Sequence, residues 1–151
     1  MANNKSDLKA KAEFIKYLHN KGFQAKVAST PADIVATKDG QTWYYEIKKT
    51  KRTDTYFGGA TLTEWVQAIL DPGHFRYVVA KTDEAESFFE FQEYTPEEFM
   101  EFSTIPPFKI FFNINLSNNE RKPRRKTTKK ATRLTKENLE VLSQCYNQLK
   151  K

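Results

Sequence analysis

The chain reads as an α/β fold, a mixed β-sheet flanked by helices, and three observations predict it. Between Pro31 and Lys48, two apolar, β-prone runs flank Asp39-Gly40, a dipeptide that strongly signals a two-residue hairpin turn. Helical spacing precedes this hairpin over residues 6–21 and resumes after Thr61. The order helix, hairpin, helix, strand, strand, helix, strand then describes an α/β sandwich with a mixed sheet.

Leu8, Ala12, Ile15 and Leu18 give the first helix its spacing, with Ser6 or Asp7 as cap and Gly22 as stop. Phe23 to Val27 make a short edge strand ahead of the hairpin. Residues 49–59 are too polar and glycine-rich for a core element and read as a loop within reach of a substrate. Thr61-Leu62-Thr63-Glu64 is a capping box opening a helix that carries Leu62, Trp65, Val66, Ile69 and Leu70, stopped by Asp71-Pro72-Gly73.

Strands follow at Phe75–Ala80 and Ser87–Tyr94, joined by an acidic turn. Thr95-Pro96-Glu97-Glu98 is a second capping box, starting a short helix through Phe102. Pro106-Pro107 breaks the chain before a last strand at Lys109–Leu116. A polar linker, 117–134, holds Arg121, Lys122, Arg124, Arg125 and Lys126, and Thr135 caps a final helix to about Lys150. The expected organisation is therefore an α/β domain at 1–116, a basic linker at 117–134 and a helix at 135–151. Leu139, Leu142, Tyr146 and Leu149 line one side of that helix and need cover. Docking on the domain supplies it, or a homodimer through the helix does.

The hairpin carries the candidate chemistry. With Asp39-Gly40 as the loop, Lys38 pairs with Gln41, and counting outward sets Asp33 opposite Glu46. Cross-strand Cβ atoms lie about 4.5–5.5 Å apart, so two carboxylates there repel unless something offsets them. A divalent cation does so, because Mg²⁺ selects hard oxygen ligands. Lys48 shares that face, while Ile34, Ala36, Trp43, Tyr45 and Ile47 share the other, a core surface. A three-residue loop with a glycine bulge is the alternative, and it moves Asp33 to the wrong face relative to Glu46.

Ala32-Asp33-Ile34 followed by Glu46-Ile47-Lys48 resembles the signature of the PD-(D/E)XK nuclease superfamily, over roughly the first two-thirds of the chain. Ala32 separates Pro31 from Asp33, a departure from the superfamily's usual Pro-Asp pair. The resemblance implies a restriction-endonuclease-like sheet and a metal-dependent endonuclease, a phosphodiester hydrolase, with Asp33, Glu46 and Lys48 as catalytic residues. It further implies Mg²⁺ or Mn²⁺ held by Asp33, Glu46 and the Ile47 carbonyl, assisted by an acidic residue of the preceding helix, here Glu13. It also makes Gln67, on the later helix, a candidate nucleic-acid contact.

Composition limits the other readings. The 151 residues are 38% hydrophobic and 14% aromatic, which supports a packed domain. A single cysteine, Cys145, excludes an internal disulfide or a multi-cysteine zinc site. With neither a membrane-length apolar run nor an N-terminal signal pattern, a cytoplasmic setting is expected. No phosphate-binding glycine loop is present, and His19 and His74 have no metal-ligand spacing, which disfavours ATPase, dehydrogenase and zinc-enzyme readings.

Charge is split along the chain. Residues 1–116 hold 14 Lys and Arg against 16 acids, a net of −2, whereas 117–151 hold 11 against 3, a net of +8. A basic arm suits nucleic acid, DNA in this reading, with Lys49, Lys51, Arg52, Arg121, Lys122, Arg124, Arg125 and Lys126 meeting phosphates. The alternatives are an inactive nuclease-fold module that binds nucleic acid, and a protein-interaction module using the basic tail.

Overall fold

Asp39 and Gly40 both take positive φ, 52° and 75°, as a tight two-residue hairpin turn demands. They join β2 (Ile34–Lys38) to β3 (Gln41–Thr50), and Lys38 pairs with Gln41 as the two-residue loop predicts. The computed structural model describes residues 3–107, 109–112, 116 and 132–150. It divides into two units, Met1–Ile105 and Pro106–Lys151.

In the first unit, α1 (Asn3–Asn20) is followed by β1 (Gln24–Val27), the hairpin, and α2 (Leu62–Leu70). Then come a 3₁₀ turn at Pro72–His74, β4 (Phe75–Thr82), β5 (Phe89–Tyr94) and α3 (Pro96–Glu101). The five strands lie in the order β1-β2-β3-β4-β5. All neighbours are antiparallel except β3 and β4, which α2 connects as a parallel pair, so the sheet is mixed.

Each face of the sheet buries its own core. On one side Ala10, Phe14 and Leu18 of α1 pack on Ile34, Ala36, Tyr45, Ile47, Val78 and Ala80. The phenyl ring of Phe14 lies 5.2 Å from that of Tyr45 and 5.0 Å from that of Phe91, both edge-on. On the other side Trp65 and Ala68 of α2 and Phe99 of α3 cover Phe75 and Tyr77. Capping boxes at Thr61 with Glu64, and at Thr95 with Glu98, start those two helices.

Three expectations are corrected. The helix starts by Asn3, so Ser6 and Asp7 lie inside it, and its buried stripe runs through Ala10, Phe14 and Leu18. Leu8 is left exposed because turning Phe14 inward buries far more apolar area than Ala12 offers. In α2 only Trp65 and Ala68 turn to the core, while Leu62, Val66, Ile69 and Leu70 are exposed. Residues 109–112 of the expected last strand are irregular, with Ile110, Phe111 and Phe112 exposed, since β-prone composition by itself does not make a strand.

In the second unit, α4 (Lys136–Leu149) is capped by Thr135, whose hydroxyl accepts from Asn138 N while the Asn138 side chain accepts from Thr135 N. Leu139, Leu142 and Leu149 are exposed along it. Arg121, Lys122, Arg124, Arg125 and Lys126 lie outside the described residues. Among the described residues no helix is long and apolar enough to cross a membrane.

Candidate functional site

β3 is ten residues long and outruns its partner. Its ladder with β2 ends at Ile34↔Tyr45, while its pairing with β4 continues to Thr50. Beyond Tyr45, one edge of β3 is therefore open. Asp33, the residue just before β2, turns its carboxylate onto that edge, where Oδ2 accepts a 3.0 Å hydrogen bond from Ile47 N. The pairing predicted between Asp33 and Glu46 thus takes a different form, a side chain replacing the strand beyond the end of the ladder. In a strand the N–H and C=O of one residue point to the same edge, so the Ile47 carbonyl faces the Asp33 side as well.

The other oxygen of Asp33 is engaged too. Lys11 Nζ lies 2.8 Å from Asp33 Oδ1 and 3.3 Å from Asp7 Oδ2, one turn back on α1. Burial alone draws the Lys11 ammonium down, but its bonds and charge contacts with Asp33 and Asp7 raise it overall above its ordinary value.

Glu46 and Lys48 stand on the α2 face of β3, as period-two alternation requires. Glu46 is only 8% exposed. Burial is the main cause that pushes its carboxyl up to about 8, the charges of Asp33 and Glu64 add to it, and Lys48 opposes them. Lys48 Nζ lies 3.4 Å from Glu46 Oε1 and 3.0 Å from Glu64 Oε2. Burial lowers the Lys48 ammonium, yet the Glu64 hydrogen bond and the two carboxylate charges outweigh it and raise the group.

Asp33, Glu46, Ile47 and Lys48 are brought together; Glu13 is not. It lies two residues beyond Lys11, roughly 200° around the helix, and pairs with Lys16 at 2.8 Å. Lys49 projects to the opposite face from Lys48 and pairs with Glu86 at 2.8 Å. Lys51 leans on Glu84 at 3.7 Å, and Arg52 is exposed on the loop that follows. Gln67, half-buried, is one turn along α2 from Glu64.

Three residues join the site without having been expected there. Glu64 read only as the N3 member of a capping box, and it does accept from Thr61 N at 3.2 Å, but the same oxygen holds Lys48. Nothing in the first helix's pattern singles out Lys11. Tyr77 read as an apolar strand residue, yet it pairs with Glu46 in register and its fully buried hydroxyl has no hydrogen-bond partner among the described residues. Burial first, then the charges of Glu64 and Glu46, raise the Tyr77 hydroxyl above its ordinary pKa.

Among the described residues, no three His, Cys, Asp or Glu side chains converge to hold a metal ion. The oxygen set on offer is instead two carboxylates, Asp33 and Glu46, with the Ile47 carbonyl. No protein-family model, curated protein or solved structure matches this chain.

Proposed function

We propose that this chain is a restriction-endonuclease-like, metal-dependent endonuclease that hydrolyses phosphodiester bonds in nucleic acid, DNA by preference, in the cytoplasm. The observation that carries the reading is Asp33 closing the open edge of β3 onto Ile47 N at 3.0 Å, next to the buried Glu46 and Lys48. Further support comes from the helix–hairpin–helix–strand order with its parallel β3–β4 pair, and from the net charge of +8 in residues 117–151. An exposed, free Cys145 suits a reducing compartment.

The donor chemistry fits Mg²⁺ or Mn²⁺. Carboxylate and carbonyl oxygens are the ligands these ions prefer, and a carboxyl held up to about 8 by burial and like charge is one that a cation relieves. Asp33, Glu46 and the Ile47 carbonyl would hold the ion, which when bound polarises a phosphate and lowers the pKa of its water. Lys48 offers its ammonium to the negative charge that develops on the phosphate. Glu64 anchors that ammonium from α2, and Lys11 holds the far side of Asp33.

One observation favours a second reading. Both oxygens of Asp33 are already engaged, by Lys11 and Ile47 N, as in a purely structural ion network. The chain is then a nuclease-fold module that binds nucleic acid without cutting it. A panel of labelled DNA and RNA substrates with Mg²⁺ and Mn²⁺, on wild type and Asp33→Asn, separates the two. Metal-dependent cleavage that Asp33→Asn lacks supports the hydrolase, and binding without cleavage supports the module.

A further inference from the structure

The loop 51–60 leaves β3 just past Lys48 and enters α2 just before Glu64, and the 3.0 Å Lys48–Glu64 ion pair holds its two ends together at the site. From Lys51 to Gly59 every residue is exposed. Its two aromatic side chains do different things. Tyr56 folds back over the loop so closely that a Cβ at Gly58 would lie 3.1 Å from its hydroxyl oxygen and 3.2 Å from its ring. Phe57 is 98% exposed.

A bare phenyl ring on the same exposed loop as the Arg52 guanidinium matches a particular ligand chemistry, while the neighbouring Lys51 is already held by Glu84 and Glu86. Single-stranded nucleic acid presents flat base faces for stacking and phosphates for cations. A fully paired duplex presents the phosphates but keeps its base faces stacked inside the helix. The loop's anchoring at Lys48 and Glu64 places Phe57 and Arg52 beside the proposed site, where the strand entering it would carry both bases and phosphates.

We infer that Phe57 stacks on an unpaired base, so that the preferred ligand is single-stranded nucleic acid or a duplex with an unpaired nucleotide beside the site. This rests on the nucleic-acid reading above. It adds which form of nucleic acid is bound and by which residue.

The test uses the full-length chain in EDTA, so that binding is measured without cleavage. Fluorescence anisotropy is followed for a labelled single-stranded oligothymidylate and for a duplex of equal length, across a salt series, with wild type, Phe57→Ala and Phe57→Trp. Phe57→Ala is expected to weaken single-strand binding about tenfold, within the range of one base–aromatic stack, and to leave duplex binding and both salt slopes unchanged. Phe57→Trp, which keeps a stacking surface, is expected to bind the single strand as wild type does. Equal single-strand binding by wild type and Phe57→Ala overturns the inference while sparing the nucleic-acid reading, and leaves a protein partner as the loop's occupant. If wild type binds neither oligonucleotide, both fall. Phe57-dependent single-strand binding, without metal-dependent cleavage in the substrate panel, removes the hydrolase reading alone.

Discussion

Glu64 Oε2 accepts from two donors at once, Lys48 Nζ at 3.0 Å and Thr61 N at 3.2 Å. One oxygen thereby starts α2 and fixes the ammonium beside Glu46, so the position of the helix and the position of the charge are the same structural fact. Glutamine at Glu64 keeps an acceptor for the cap but removes the negative charge, whereas alanine removes both. Glu64→Ala is therefore expected to lose about 1 kcal/mol more stability than Glu64→Gln in urea unfolding. Both should lower turnover on any cleaved substrate, with KM little changed, because Lys48 loses its anionic partner in each, and alanine, which also removes the acceptor, should lower it more.

Asp33, a ligand of the proposed metal site, is also a structural residue. Asp33→Ala leaves Ile47 N without its acceptor and Lys11 without its nearest anion, so it is expected to cost about 2–3 kcal/mol of stability as well as Mn²⁺ binding. Asp33→Asn retains an oxygen for Ile47 N and is expected to be the milder change to stability, with Mn²⁺ binding equally lost. Calorimetric titration with Mn²⁺ alongside urea unfolding checks both. Unchanged Mn²⁺ binding in either variant removes Asp33 from the ligand set.

Glu46 makes stability depend on pH in a definite direction. Its carboxyl is raised from an ordinary 4.5 to about 8, so the fold favours the protonated form. That contribution is fully present below pH 4.5, and it is lost progressively as pH rises to about 8, because over that range the unfolded chain releases the proton that the folded chain keeps. Glu46→Gln is expected to be more stable than wild type at pH 8 by about 1–3 kcal/mol and to show a flatter profile between pH 5 and 8. Saturating Mn²⁺ should narrow that difference by stabilising only the wild type. Parallel pH profiles with and without Mn²⁺ would count against a cation at Glu46.

Tyr77 buries a hydroxyl that no described group satisfies, while its ring stacks on Phe99 at 4.3 Å and meets Trp65 at 4.8 Å. Removing an unsatisfied buried polar atom while keeping the ring is expected to raise stability, by about 1 kcal/mol in urea unfolding of Tyr77→Phe. A loss of stability instead would mean that a bound water or another group partners that hydroxyl in solution.

Much of the scaffold was legible in local sequence because the physics that sets it is local. Asp39-Gly40 supplies the positive φ values of a two-residue turn, and that alone fixes the register from Lys38↔Gln41 outward. Period-two alternation then sorts Glu46 and Lys48 from Ile47, and the threonine capping boxes mark where α2, α3 and α4 start. What only the tertiary structure decided is which distant side chains meet. Whether Lys11 or Glu13 reaches Asp33 depends on the stripe α1 turns inward, and bulky Phe14 settles that by packing against Tyr45 and Phe91. Glu64 reaches Lys48 because α2 crosses the sheet to make β4 parallel to β3, and the same crossing buries Tyr77 beside Glu46. Those meetings are set by apolar packing between elements far apart in the chain, which no spacing within a single element encodes.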